Sequence, residues 1–139
     1  MSSFVLDASV ALSWCFADEA DEAGDAVLNR LRGTRACVPG IWPLEVANVL
    51  LGAERRRRIA PSESARFLAL LDALPIDVDA HTASRAPREI LALARTHKLS
   101  SYDAAYLELA ARGGLSLATR DVRLAAAARS VGVDVWVAP

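Results

Sequence analysis

Four acidic residues fall where short apolar runs give way to helical patterns: Asp7 directly after F-V-L, Glu45 near the start of I-W-P-L-E-V-A-N-V-L-L-G-A, Asp103 within L-S-S-Y-D-A-A-Y-L-E-L-A, and Asp121 two residues beyond L-S-L-A. Each alone has a local explanation. Asp7 and Asp121 could cap the helices that follow them, Asp103 sits in a first turn behind Ser100 or Ser101, and Glu45 follows Pro43 at a helix start where the dipole favours an acid. Helical spacing nevertheless puts Asp103 on the apolar face of Tyr106, Leu107 and Ala110, with Glu108 turned toward the other side. Between residues 41 and 53 only Glu45 and Asn48, one turn apart, are strongly polar. A carboxylate in such surroundings is costly unless it is paired or holds a metal.

Two carboxylates about 4 Å apart repel by roughly 4 kcal/mol at an effective dielectric near 20. If the four acids converge, protons or a cation must neutralise them. An all-oxygen donor set at an open rim suits Mg²⁺ or Mn²⁺ better than zinc. Such an ion polarises a phosphoryl oxygen and acidifies water, so the chemistry implied is phosphodiester hydrolysis. Ser9 and Thr119, hydroxyls beside Asp7 and Asp121, could orient the carboxylates or serve as ordinary caps.

Convergence follows from the elements. F-V-L, A-C-V, I-D-V, L-S-L-A and V-D-V-W-V read as five strands, and helical periodicity appears at 8–16, 20–32, 41–58, 62–72, 82–97, 102–112 and 121–130. Gly33, Gly113-Gly114 and Gly132 are helix stops. This alternation predicts an α/β chain, residues 1–139 as one domain, with a central parallel sheet of about five strands covered on both faces. Ligands of such a sheet bind beyond the carboxyl ends of its strands, at the point where strand order reverses. Asp7 and Asp121 end strands there, and the helices of Glu45 and Asp103 begin there.

Bulk composition excludes several classes. With 139 residues, 53% of them hydrophobic, and a net charge of −1, the chain builds a substantial core but no global basic field. The N-terminus lacks a basic stretch and is interrupted by Asp7, which predicts a cytoplasmic protein without a membrane span. Cys15, Cys37, His81 and His97 have no zinc spacing. No G-x-x-x-x-G-K-[ST] phosphate loop occurs. A receiver-type phosphoacceptor would need an acid pair after the first strand and a lysine after the last, and a haloacid-dehalogenase-type phosphatase would need D-x-D; D-A-S at 7–9 satisfies neither.

The motifs D-A-S at 7–9, L-E-V-A-N-V-L at 44–50, S-S-Y-D-A-A-Y-L-E-L-A at 100–110 and T-R-D at 119–121 resemble the acidic motifs of PIN domains, particularly the VapC ribonuclease toxins of bacterial toxin–antitoxin systems. The resemblance spans essentially the whole chain, in order. It implies a three-layer α/β/α fold and a Mg²⁺- or Mn²⁺-dependent endoribonuclease, usually a homodimer, silenced by a VapB-like antitoxin whose C-terminal segment covers the groove. Transfer RNA is a common substrate of such toxins. By position, Asp7, Glu45, Asp103 and Asp121 match the family's acidic quartet, with Asp7 and Asp103 as the firmest metal ligands. Ser9, Asn48 and Thr119 match supporting positions. The competing reading is a non-catalytic PIN-like module that holds RNA or a protein.

Arg120, at the rim, is a candidate for substrate phosphate or for offsetting the acids. Arg55 to Arg58 end the Glu45 helix on the far side, where a solvated terminus outweighs phosphate contact. Trp14, Phe16 and Trp42 are expected either to pack in the core or to line a groove for an antitoxin peptide or a base.

Overall fold

Phe4–Leu6 carries no polar side chain and no exposure, a condition met in the middle of a sheet covered on both faces. The computed structural model, which describes residues 3–137, makes this strand β1 at the centre of five parallel strands. The others are β2 (Ala36–Val38), β3 (Ile76–Val78), β4 (Ser116–Ala118) and β5 (Val135–Trp136), in the order β3-β2-β1-β4-β5. Phe4 pairs with Ala36 on one side and Ser116 on the other, so strand order reverses between β1 and β4. Helices flank the sheet in a three-layer α/β/α arrangement. All five strands fall on the apolar runs that predict them.

The helices are α1 (Ala8–Leu12), α2 (Glu22–Arg30), α3 (Trp42–Arg55), α4 (Pro61–Ala73), α5 (Thr82–Arg85), α6 (Leu91–His97), α7 (Ser101–Gly113) and α8 (Val122–Ser130). Three helices differ from the periodic pattern by more than two residues or by an interruption, each for a backbone reason. The 8–16 helix stops after Leu12, where a turn leads into a single 3-10 turn at Ala17–Glu19. The 41–58 helix stops at Arg55, because Arg57 takes a left-handed φ of 57°. The 82–97 helix is interrupted by a wide π turn over Ala86–Ile90, which accommodates Pro87, a residue with no N–H to give. Helix α7 ends as expected on Gly114, whose φ of 62° is the left-handed closure that glycine adopts without strain.

The sides of α7 and α3 differ from what spacing alone implies. Glu108, expected to face outward, is buried and bound by two guanidinium groups, Arg85 (2.5 Å) and Arg112 (3.0 Å). Arg112 also reaches Asp79 at 2.7 Å, so the ionic chain joins α7 to α5 and to the end of β3. Paired charge is what makes that burial tolerable. Conversely, α3 is apolar nearly all round but buries only one side: Trp42, Val46, Leu50 and Ala53 are in the core, whereas Leu44, Val49 and Leu51 are exposed. Among the described residues no helix is long and apolar enough to cross a membrane.

Glu108→Ala is expected to lower unfolding free energy by about 3 kcal/mol, since it leaves two partly buried guanidinium groups without their shared partner. Arg85→Ala should cost less, because Glu108 then retains Arg112; urea titration of the two variants checks the order.

Candidate active site at the sheet edge

The reversal of strand order sets the ends of β1 and β4 side by side, where a parallel sheet offers its ligand crevice, and hydrogen bonds join the two ends. The Asp7 N–H donates to the Ala118 carbonyl at 2.9 Å. Thr119 Oγ1 donates to Asp7 Oδ2 at 2.7 Å, and Ser9 Oγ donates to the same oxygen at 2.9 Å. Thr119 also accepts the Asp121 N–H at 3.1 Å. Ser9 and Thr119 therefore both hold Asp7 through one carboxylate oxygen. Both donate to Oδ2, and among the described residues no side chain donates to Oδ1.

The local explanations now separate. Asp7 precedes α1 but makes no side-chain capping bond of normal geometry to it. Asp121 does cap α8, accepting the Leu124 N–H at 2.8 Å on Oδ1. Ser100, not Asp103, caps α7, by accepting the Asp103 N–H at 3.1 Å. The Asp103 carboxylate, half-buried in the first turn, is thus not needed as the helix cap. Glu45 sits in the first turn of α3, also half-buried, and its Oε1 accepts the Tyr106 hydroxyl at 2.5 Å.

Electrostatic coupling ties the four acids into one field. Burial pushes the Asp7 carboxyl above its ordinary range, against the pull of the Thr119 and Ser9 hydrogen bonds, and the Asp121 charge adds to the rise. Burial likewise raises Glu45, the Tyr106 bond opposes it, and the charges of Asp7 and Asp103 reinforce it. Asp103 is raised by burial and then by Asp121 and Asp7. The phenol of Tyr106, buried beside Asp7 and Glu45, is raised in turn. Among the described residues none of the four acids has an ion-pair partner.

The cations near this edge are spent elsewhere. Arg120 directs its two terminal nitrogens at Asp21, at 2.6 and 2.8 Å, with a longer contact to Ser13, and holds the Asp21 carboxyl down to about 2. Its guanidinium pairs with an acid outside the quartet. The packing there is tight. A Cβ on Gly24 would lie 2.7 Å from Arg120 and 2.8 Å from Ser13. Arg58 pairs with Asp18 at 2.6 Å and Glu19 at 2.9 Å while its guanidinium lies 4.0 Å from the Phe16 ring centre, so the last residue of the arginine run clamps a loop. Phe16 and Trp42 are core residues, and Trp14 donates its indole N–H to the Gly24 carbonyl at 2.9 Å. Asn48 is exposed.

Among the described residues no three acidic, histidine or cysteine side chains close into a finished cation cage. The donor set still fits a hard divalent ion: its charges are uncompensated, its free atoms are oxygens, and an ion such as Mg²⁺ keeps several waters that bridge to more distant carboxylates. The residue that spacing did not single out is Tyr106, which shares the apolar face of Asp103; a tyrosine on a fully buried face signals a hydroxyl that must have partners.

The PIN domain family model matches residues 4–130. The chain belongs to the PIN domain family. PIN domains are generally nucleases and typically use divalent metals. None of the curated proteins matches this PIN domain by sequence. Among solved structures it is similar to PAE2754 from Pyrobaculum aerophilum, at 23% identity and a TM-score of 0.69, over 96% of this chain and 90% of that one. It is also similar to VapBC2 from Rickettsia felis bound to a DNA fragment from their promoter, at 10% identity and a TM-score of 0.66, over 96% and 98% of the two chains. FitAcB from Neisseria gonorrhoeae matches at 20% identity and a TM-score of 0.59, over 96% of each chain. At these identities the likeness is one of fold.

Because the raised carboxyls favour protons in the folded state, the stability they contribute is present at low pH and lost as pH rises through their folded values. In EDTA, Asp103→Asn should therefore melt at or above wild type at pH 7, with the difference shrinking toward pH 4, as followed by scanning calorimetry. A variant that melts below wild type throughout would mark Asp103 as a structural group.

Proposed function

We propose that this PIN domain, taken as one domain over residues 1–139, is a divalent-cation-dependent endoribonuclease of a toxin–antitoxin pair, acting in the cytoplasm. The observation that carries the reading is the state of the acids at the β1/β4 crevice: Asp7, Glu45 and Asp103 are raised by burial and by charges within the quartet, Asp121 in the case of Asp7, whereas Asp79 and Asp21 near the same edge each have an arginine. A purely structural site would pair or disperse such charges.

Asp7 and Asp103 would hold Mg²⁺ or Mn²⁺, with Glu45 and Asp121 reaching it directly or through water. When bound, the ion supplies the positive charge that draws a phosphodiester to the acids and stabilises charge developing on its oxygens. The chain's own contribution is orientation. Ser9 and Thr119 hold Asp7 Oδ2, Tyr106 holds Glu45 Oε1, and the Ser100 cap sets the start of α7 that carries Asp103. Asp121, coupled to Asp7 and Asp103 by charge, keeps one oxygen on its helix and has the other for the crevice.

The partner side of the proposal draws on the relatives. A toxin–antitoxin complex from Klebsiella pneumoniae matches at 18% identity and a TM-score of 0.60, over 88% of this chain and 90% of that one. The Rickettsia and Neisseria structures also support an antitoxin partner. Leu44 and Leu51, exposed one above the other on α3 beside Glu45, give such a peptide or a second copy of the chain an apolar surface to cover. A homodimer neutralised by a VapB-like antitoxin, with RNA as the substrate, is the assembly this reading implies.

The purified chain, freed of any bound partner, is expected to cleave structured RNA, transfer RNA included, in Mg²⁺ or Mn²⁺ and to stop in EDTA. Asp7→Asn and Asp103→Asn should each lower the rate by about 100-fold or more, and Thr119→Val by about 10-fold, with circular dichroism unchanged. RNA binding without cleavage by a folded wild-type chain would instead select the non-catalytic module.

A further inference from the structure

The side chain that joins most of the site together is not an acid. Tyr106 lies one turn after Asp103 on α7 and is 0% exposed. Its hydroxyl donates to Glu45 Oε1 at 2.5 Å and accepts the Ala8 N–H at 3.4 Å. Ala8 follows Asp7, and its N–H belongs to the first turn of α1, which has no donor-satisfying partner inside the helix. A single oxygen thereby ties together the three elements that carry Asp7, Glu45 and Asp103. Packing alone would be served by phenylalanine, which fills nearly the same volume and brings no polar group into the core. A buried hydroxyl is tolerated when its hydrogen bonds are made, and here its partners are both components of the acid site.

Glu45 needs such a hold. A glutamate has three side-chain torsions, and this one stands beside two like charges that favour its turning away. We infer that Tyr106 is a positioning residue for cation binding: its hydroxyl fixes the Glu45 carboxylate against Asp7 and Asp103, so that Glu45 presents Oε2 to a divalent ion or its water. The inference rests on the nuclease reading, since it takes Glu45 as part of that site. Being buried, Tyr106 touches no RNA. Its loss therefore acts on cation affinity and kcat and leaves the KM for RNA unchanged.

The test measures binding of Mn²⁺ alone, by the electron paramagnetic resonance signal of the free ion, to wild type, Tyr106→Phe, Glu45→Gln and the double variant. Tyr106→Phe is expected to bind about 10-fold more weakly. The double variant should bind no more weakly than Glu45→Gln, because the hydroxyl acts through that carboxylate. A folded Tyr106→Phe with wild-type Mn²⁺ affinity, or losses that add in the double variant, overturns the assignment of Tyr106 while leaving the nuclease reading intact. A wild-type chain that binds no Mn²⁺ overturns both. Should Tyr106→Phe fail to fold, the hydroxyl proton resonance of Tyr106 in the wild-type chain decides: it shifts on addition of Mg²⁺ if Glu45 is engaged through it, and an unmoved resonance during Mg²⁺ binding overturns the role.

Discussion

Like-charge repulsion at the crevice between β1 and β4 is the constraint around which this molecule is arranged. A parallel sheet of very short strands places Asp7 at the end of one central strand and Thr119 with Asp121 just beyond the other. Helices that start at the same edge add Glu45 and Asp103. Proximity of this kind is unfavourable by itself, and neutral donors grip one oxygen of three of the four carboxylates. Ser9 and Thr119 serve Asp7, Tyr106 serves Glu45 and the helix backbone serves Asp121.

Charge elsewhere is handled differently. Arg112 spans Asp79 and Glu108, Arg120 spans Asp21 and Ser13, Arg58 spans Asp18 and Glu19, and Arg35 meets Asp77 across the β2/β3 edge. The chain thus has guanidinium groups in reach of many acids, yet none contacts the quartet among the described residues. That division separates acids paired within the fold from the four that have no ion-pair partner among the described residues.

Much of this was legible in the residues. Strands appeared as short apolar runs because β1, β2 and β4 are nearly enclosed, with β3 and β5 flanking them, and the carboxyl-edge rule for parallel sheets placed the four acids at one edge without any contact information. Ser9 and Thr119 were legible because a hydroxyl two residues from Asp7 and one just past β4 have few other directions to point. What periodicity misassigned was whatever depends on a distant partner. Glu108 lies on the inward side because Arg85, far along the chain, waits there. Arg120 pairs with Asp21, a partner on another loop that no local pattern announces. Tyr106 looked like core because its ring is core, and only the positions of Ala8 and Glu45 reveal the work of its hydroxyl. The interruption at Ala86–Ile90 escaped a smooth helical pattern because Pro87 widens a turn without ending the helix.

The start of α2 adds a restriction of its own. With no space for even a methyl group between Gly24, Ser13 and Arg120, positions 13, 24 and 120 form one steric unit, although they lie on three separate segments. Divergence at any of them is coupled: a side chain at 24 would push aside the guanidinium end of Arg120 and the Ser13 hydroxyl, loosening the Arg120–Asp21 pair while the Gly24 N–H still holds Asp21.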